Sequence, residues 1–196
     1  MREELTVASA GDMLALGRRL AAVLLPGDLV VLSGDLGAGK TTLVQGIGAG
    51  LGVRGPITSP TFVIARVHPS LTGGPALVHA DAYRLSSPAE VDDLDLDASL
   101  ETSVTVVEWG GGLVEGLAAD RLDVSIALAA PGIPGGEGPG GVPGGRGPGP
   151  DDWRGPDQEP RTVRLEGHGA RWDTAGGLPP AGGLPPAGGL PPAGGR

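Results

Sequence analysis

The residues Gly34-Asp35-Leu36-Gly37-Ala38-Gly39-Lys40-Thr41 have the spacing Gly-x-x-x-x-Gly-Lys-Thr, which is that of a phosphate-binding loop. Glycines let successive backbone N–H groups turn into one concavity, and a helix that follows adds its positive N-terminal end. Asp35, Gly37, Ala38, Gly39, Lys40, Thr41 and Thr42 are therefore the candidate nucleotide contacts. Lys40 would reach the outer phosphates and the Thr41 hydroxyl would ligate magnesium. A magnesium ion held by one hydroxyl and phosphate oxygens also calls for a carboxylate at the end of a neighbouring strand, directly or through water. Two residues fit: Glu108, after the apolar run Val104–Val107, and Asp81, after Ala76–Ala80. Either taken alone could be an ordinary acid at a strand end. Glu108 follows the more continuous buried strand. With no Asn and no lysine besides Lys40, the chain cannot contain the Asn/Thr-Lys-x-Asp segment with which Ras-like GTPases read guanine, so ATP is the default nucleotide.

Several elements must position these groups. Leu29-Val30-Val31-Leu32 is an uninterrupted apolar run bounded by turn residues, as expected of a strand buried on both faces, and the glycine loop follows it directly. A helix is predicted from Lys40 through Ile47, weakened by Gly46 and Gly48 at ~1 kcal/mol each relative to Ala. Upstream, Ser9 can cap a helix whose Met13, Leu14, Leu16, Leu20, Val23 and Leu24 recur at helical spacing as far as Pro26. Thr61–Val67, Ala76–Ala80, Val104–Val107 and Leu122–Leu128 read as further strands. This order predicts a three-layer α/β domain of the P-loop NTPase kind, with a mixed, largely parallel sheet.

Composition divides the chain. Glycine (38) and proline (20) are concentrated beyond Ala130. Residues 1–130 read as the ATPase domain, and 131–160 as a disordered Gly/Pro-rich insertion that cannot bury enough apolar surface to offset ordering. Residues 161–172 alternate as an edge strand that completes the domain, with Trp172 pinning its end. Residues 173–196 carry three copies of Ala-Gly-Gly-Leu-Pro-Pro and read as a disordered tail. The net charge of −9 argues against extensive direct contact with a nucleic-acid backbone, which needs clustered Lys and Arg. The acids Glu90, Asp92, Asp93, Asp95, Asp97 and Glu101 read as a solvated face. The absence of cysteine, the acidic start and the lack of a long apolar stretch lead to the expectation of a cytoplasmic protein without a membrane span.

Four segments taken in order, Gly34–Thr42, Ser59-Pro60-Thr61-Phe62, His79-Ala80-Asp81-Ala82-Tyr83-Arg84-Leu85 and Glu108-Trp109, closely resemble the TsaE (YjeE) family of bacterial ATPases required for threonylcarbamoyladenosine modification of tRNA. The resemblance covers about residues 5–130 and resumes around Arg161–Trp172. It implies magnesium-dependent ATP hydrolysis coupled to a complex of TsaD and TsaB, which TsaE resets. By motif position it implies that Lys40 and Thr41 bind phosphate and magnesium with Thr42 beside them. It implies too that Glu108 completes the metal site, that Asp81 is a catalytic or partner-coupling acid, and that Ser59–Phe62 forms a switch-like loop. Without it, Ser59–Phe62 reads as an ordinary proline turn. Tyr83 and Trp109 read as packing residues, Arg84 as the partner of a surface acid and His79 as structural. Gly110, where the family often has proline, departs from the pattern. Two other readings share the loop: a small-molecule kinase, and a nucleotide-dependent assembly switch that does not hydrolyse.

Overall fold

The structure, a computed structural model, describes residues 1–60, 64–92, 100–128, 160–173 and 177–180. Its strands are β1 (Arg2–Val7), β2 (Leu29–Gly34), β3 (Ala65–His68), β4 (Ala76–Asp81), β5 (Ser103–Glu108), β6 (Arg121–Leu128) and β7 (Arg161–His168). The helices are α1 (Ala10–Ala21), α2 (Lys40–Leu51) and the short α3 (Pro88–Asp92) and α4 (Ala170–Asp173). All the strands join one sheet in the order β1-β7-β6-β2-β5-β4-β3. The central four, β6-β2-β5-β4, run parallel, and β3, β7 and β1 are added antiparallel at the flanks. This is the mixed, largely parallel sheet expected.

One face packs against α1 and α2, burying Met13, Leu16, Leu20, Leu43, Val44 and Ile47 over Val30, Leu32, Leu77, Val104 and Val106. The other face, with Leu29, Val31, Val78, Ala80 and Val107, is covered by Val91 of α3 and by Val114 with its neighbours in the turn after β5. Because β2 and β5 are covered on both faces they are apolar throughout, which is why they read so clearly in the sequence.

Helix α1 starts where its cap predicts: the Ser9 hydroxyl accepts from the Asp12 amide at 3.1 Å. It ends at Ala21, short of Pro26, although Leu24 remains buried. Helices α1 and α2 meet through glycines. A Cβ on Gly17 would strike the Leu43 carbonyl, and one on Gly46 the Leu14 carbonyl. Gly46 therefore lets two backbones touch, and close packing offsets the loss of helix propensity.

The structure differs from the sequence expectation in four places. Strand β3 begins at Ala65 rather than Thr61, because Ile64 adopts a left-handed backbone (φ 66) that breaks the extended chain; residues 61–63 lie outside the described ones. Arg2–Val7, read only as an acidic start, is a strand. Its charges face β7 partners in register, Arg2 opposite Glu166 and Glu4 opposite Arg164, and both pairs are ion pairs. Opposite charges directly across an antiparallel pair support it. As a result Arg161–His168 is not an edge strand: β7 lies between β6 and β1, and β1 is the edge. Trp172 is fully buried against Gly167 as α4 folds back, and its carbonyl accepts from the Met1 amine at 2.8 Å.

The fourth difference concerns the tail. Leu178, in the first Ala-Gly-Gly-Leu-Pro-Pro copy, is buried in the α1 side of the core. Arg19 Nε donates to the Pro179 carbonyl at 2.6 Å, and the Leu178 amide to Glu3 Oε2 at 3.4 Å. The expected disordered tail therefore cannot begin at residue 173. Residues 131–159 of the expected Gly/Pro insertion, the acids from Asp93 to Asp97 and the later tail copies lie outside the described residues.

Candidate functional site

The C-terminal ends of β2, β4 and β5 open onto the start of α2, and the chemistry-bearing residues converge there. The loop leaves β2 at Gly34 and enters α2 at Lys40. Gly37 and Gly39 take positive φ values of 79° and 107°, which only glycine adopts without strain. A cleft of about 250 Å³ is lined by Leu36, Gly37, Gly39, Lys40, Thr41, Thr42, Ser59, Asp81, Glu108 and Trp109. Asp35 and Ala38 do not line it. Ala38 is turned into the core, and the Asp35 carbonyl serves the loop by accepting from the Ala38 amide at 3.1 Å.

Lys40 is 5% exposed. Its ammonium donates to the Gly34 carbonyl at 2.6 Å and the Asp35 carbonyl at 2.9 Å, and lies 4.0 Å from the centroid of the Trp109 ring. Burial lowers its pKa below the ordinary lysine value, while Glu108, Asp81 and Asp35 oppose that shift by stabilising the charge. Trp109 has a left-handed backbone (φ 60), pinned by its amide bond to the Leu32 carbonyl at 2.9 Å. A non-glycine residue at such φ costs roughly 1–2 kcal/mol, so the surrounding bonds must over-determine it. Tyr83 meets Trp109 edge-on at 5.4 Å and is itself exposed.

The parallel register places Asp81 of β4 directly opposite Glu108 of β5. Glu108 is 3% exposed, and its Oε1 accepts from the Thr41 hydroxyl at 2.9 Å and from His79 Nε2 at 2.9 Å. His79 is fully buried, and its Nδ1 has no partner. Asp81 accepts from the Tyr83 amide (2.9 Å) and the Ser59 hydroxyl (3.3 Å). Thr41, Glu108 and Asp81 offer a hydroxyl and two carboxylates, the hard oxygen donors that magnesium takes alongside phosphate oxygens and water. Among the described residues no group of three or more His, Cys, Asp or Glu side chains could hold an ion alone. The donor set thus fits a metal that arrives with a phosphate ligand.

The predicted Lys40, Thr41, Thr42, Asp81 and Glu108 are therefore brought together, with Ser59 at the same cleft; Thr61 and Phe62 lie outside the described residues. One reading is corrected: Trp109 is not simply a packing residue, because it faces the loop lysine. His79 is structural as read, and its task is to hold Glu108. The alternation of β4 contained that signal: His79 and Asp81 share a face, and that face meets Glu108 across the register. Arg161 carries no site motif in the sequence. It is buried, and its Nε donates to the Ala38 carbonyl of the loop at 3.1 Å.

A family model described as "Threonylcarbamoyl adenosine biosynthesis protein TsaE" matches residues 7–131. The chain belongs to the TsaE family. It is 68% identical over 118 residues to the tRNA threonylcarbamoyladenosine biosynthesis protein TsaE of Streptomyces coelicolor, covering 60% of this chain and 80% of that protein. It is 53% identical over 128 residues to the protein of that name from Mycobacterium tuberculosis, covering 62% and 76%. The crystal structure of Bacillus subtilis YdiB superimposes with a TM-score of 0.61 at 26% identity, over 88% of this chain and 90% of that one. The phosphate loop, the β4 acid and the β5 acid of this TsaE-family chain all fall inside the matched segment. Strand β7 with Arg161 falls outside it. No helix among the described residues is long and apolar enough to cross a membrane.

Proposed function

We propose that this TsaE-family chain is a magnesium-dependent ATPase that supports threonylcarbamoyladenosine formation in tRNA by acting on a TsaD–TsaB complex. The observation that carries this reading is the single cleft in which Lys40, Thr41, Asp81 and Glu108 converge. In it Lys40 would neutralise the outer phosphates, and the loop amides would hold them. Thr41 with Glu108 would hold magnesium, directly or through water, and Asp81 would act on the attacking water or couple hydrolysis to the partner. The magnesium would supply charge neutralisation on the transferring phosphoryl group. The lack of a guanine-reading segment supports ATP as the nucleotide.

Two features support a partner at this site. Leu36, 94% exposed, and Tyr83, 65% exposed, are large side chains left in water beside the cleft. In addition, Lys40 is the only cation among the described residues that line the cleft, whereas fast phosphoryl transfer needs a further cation on the transition-state charge. The isolated chain is therefore expected to hydrolyse ATP slowly, and TsaD with TsaB to raise turnover tenfold or more. The test is steady-state phosphate release with and without the complex, with Lys40→Ala as the inactive control and Thr61→Ala as the loop control. Rapid hydrolysis indifferent to the complex would refute the partner-activated reading. Phosphorylation of a metabolite in place of phosphate release would return the kinase reading.

A further inference from the structure

The phosphate loop is held from behind by a residue of the last strand. Arg161, the first residue of β7, is buried, lies outside the cleft lining, and donates Nε–H to the Ala38 carbonyl at 3.1 Å. That carbonyl belongs to the peptide whose nitrogen is Gly39. A trans peptide is planar, with C=O and N–H pointing in opposite directions, so fixing the Ala38 oxygen towards Arg161 turns the Gly39 N–H the other way. Gly39 does line the cleft. Its φ of 107° is open to glycine alone, and glycine's freedom is also what would let this peptide flip. Met13 of α1 packs on the same side of Gly39 as Arg161, so one apolar contact and one charged donor together brace the loop.

We propose that Arg161 is a positioning residue for nucleotide binding: it latches the Ala38–Gly39 peptide so that the Gly39 amide faces the phosphates. The inference rests on the nucleotide reading above and concerns a residue beyond the segment the family match covers. Arg161 pairs in register with Leu128 across β6 and with Val7 across β1. Its backbone is therefore anchored to strands on both sides, so the side chain reaches the loop from a fixed base.

A hydrogen bond from an amide to a charged phosphate is worth about tenfold in affinity. Binding of Mg-ADP by the full chain is measured by calorimetry for the wild type, Arg161→Met, Arg161→Lys and Val163→Ala. Val163 is a core residue two positions along the same strand whose apolar side chain makes no hydrogen bond to the loop, so its truncation lowers stability without removing the latch. Expected are about tenfold weaker binding for Arg161→Met, a smaller loss of about threefold for Arg161→Lys, which keeps the charge and a donor but lacks the Nε–H that makes the bond, and wild-type affinity for Val163→Ala. The Gly39 amide resonance should move strongly on ADP addition in the wild type and weakly in Arg161→Met. Unchanged ADP affinity in Arg161→Met, or an equal loss in Val163→Ala, would overturn the latch. Should Arg161→Met not fold, Arg161→Lys decides alone: a loss of about threefold with a weakened Gly39 shift supports the latch, and wild-type values overturn it. A wild-type chain that fails to bind Mg-ADP would overturn the nucleotide reading, and the latch with it.

Discussion

Replacing Glu108 by alanine and by glutamine separates its two tasks. In the structure one oxygen of Glu108 accepts from both the Thr41 hydroxyl and His79 Nε2, each at 2.9 Å. Alanine removes both bonds and leaves a fully buried imidazole with neither nitrogen partnered, since Nδ1 already has none. A buried polar group left unsatisfied costs about 1–3 kcal/mol. Thr41, only half-buried, can turn to water, so the expected loss for Glu108→Ala is about 2 kcal/mol. Glutamine keeps an oxygen that accepts both bonds, and its stability should stay within about 1 kcal/mol of wild type. Both variants lose the negative charge that would hold magnesium, so both should lose magnesium-dependent turnover by about a hundredfold or more while still binding nucleotide without metal. Urea unfolding gives the stabilities, and phosphate release across a magnesium titration gives the activities. A glutamine variant that hydrolyses ATP at the wild-type rate would refute the metal assignment and shift it to Asp81, its neighbour in register. An alanine variant of wild-type stability would refute the structural role of the His79–Glu108 bond.

Gly46→Ala, at the contact of α1 and α2, should destabilise by about 1–3 kcal/mol despite alanine's higher helix propensity, because its methyl group would strike the Leu14 carbonyl; chemical denaturation checks this. Truncation before Gly177 should cost about 2 kcal/mol through loss of the buried Leu178, whereas removal of residues 181–196 should leave the unfolding midpoint unchanged. Because burial lowers the Lys40 pKa relative to its ordinary 10.5, the unfolded chain binds the extra proton between the two values, so stability should rise with pH in that alkaline window. Lys40→Met should flatten that rise, as read from unfolding midpoints between neutral and alkaline pH.

The fold was legible where burial is two-sided. Strands β2 and β5 announce themselves as continuous apolar runs, and the loop between β2 and α2 has a spacing that few other structures demand. Strand β1 was hidden because its outward residues are charges, and what stabilises them is a partner strand far away in the sequence, which no local pattern reveals. The same missing partner made β7 look like an edge. In the site, the residues that converge on the cleft were recognisable by type and spacing. Those that hold them were not. His79 differs from a core histidine only through the β4–β5 register, and Arg161 follows a long Gly/Pro run with nothing nearby to mark its target. Leu178 sits in a repeat whose composition suits solvent, and nothing in that repeat announces the contacts its first copy makes with Arg19 and Glu3.

The pairing of β1 with β7 also sets a schedule. Arg2 and Glu166, partners in the finished sheet, are 164 residues apart in the chain. At ~5–20 residues per second, a ribosome takes roughly 10–30 s to make the second after the first. Throughout that interval β1 lacks the strand it pairs with, and from the completion of β6 at Leu128 onward β6 presents an open edge next to a loop that lacks Arg161. A nascent chain can assemble the β6-β2-β5-β4-β3 part of the sheet early, but closure waits for the last strand. If Arg161 latches the loop as proposed, the loop is completed only when β7 arrives, and an abortive product that stops in the Gly/Pro run would carry Gly34–Thr41, Asp81 and Glu108 and still lack that support.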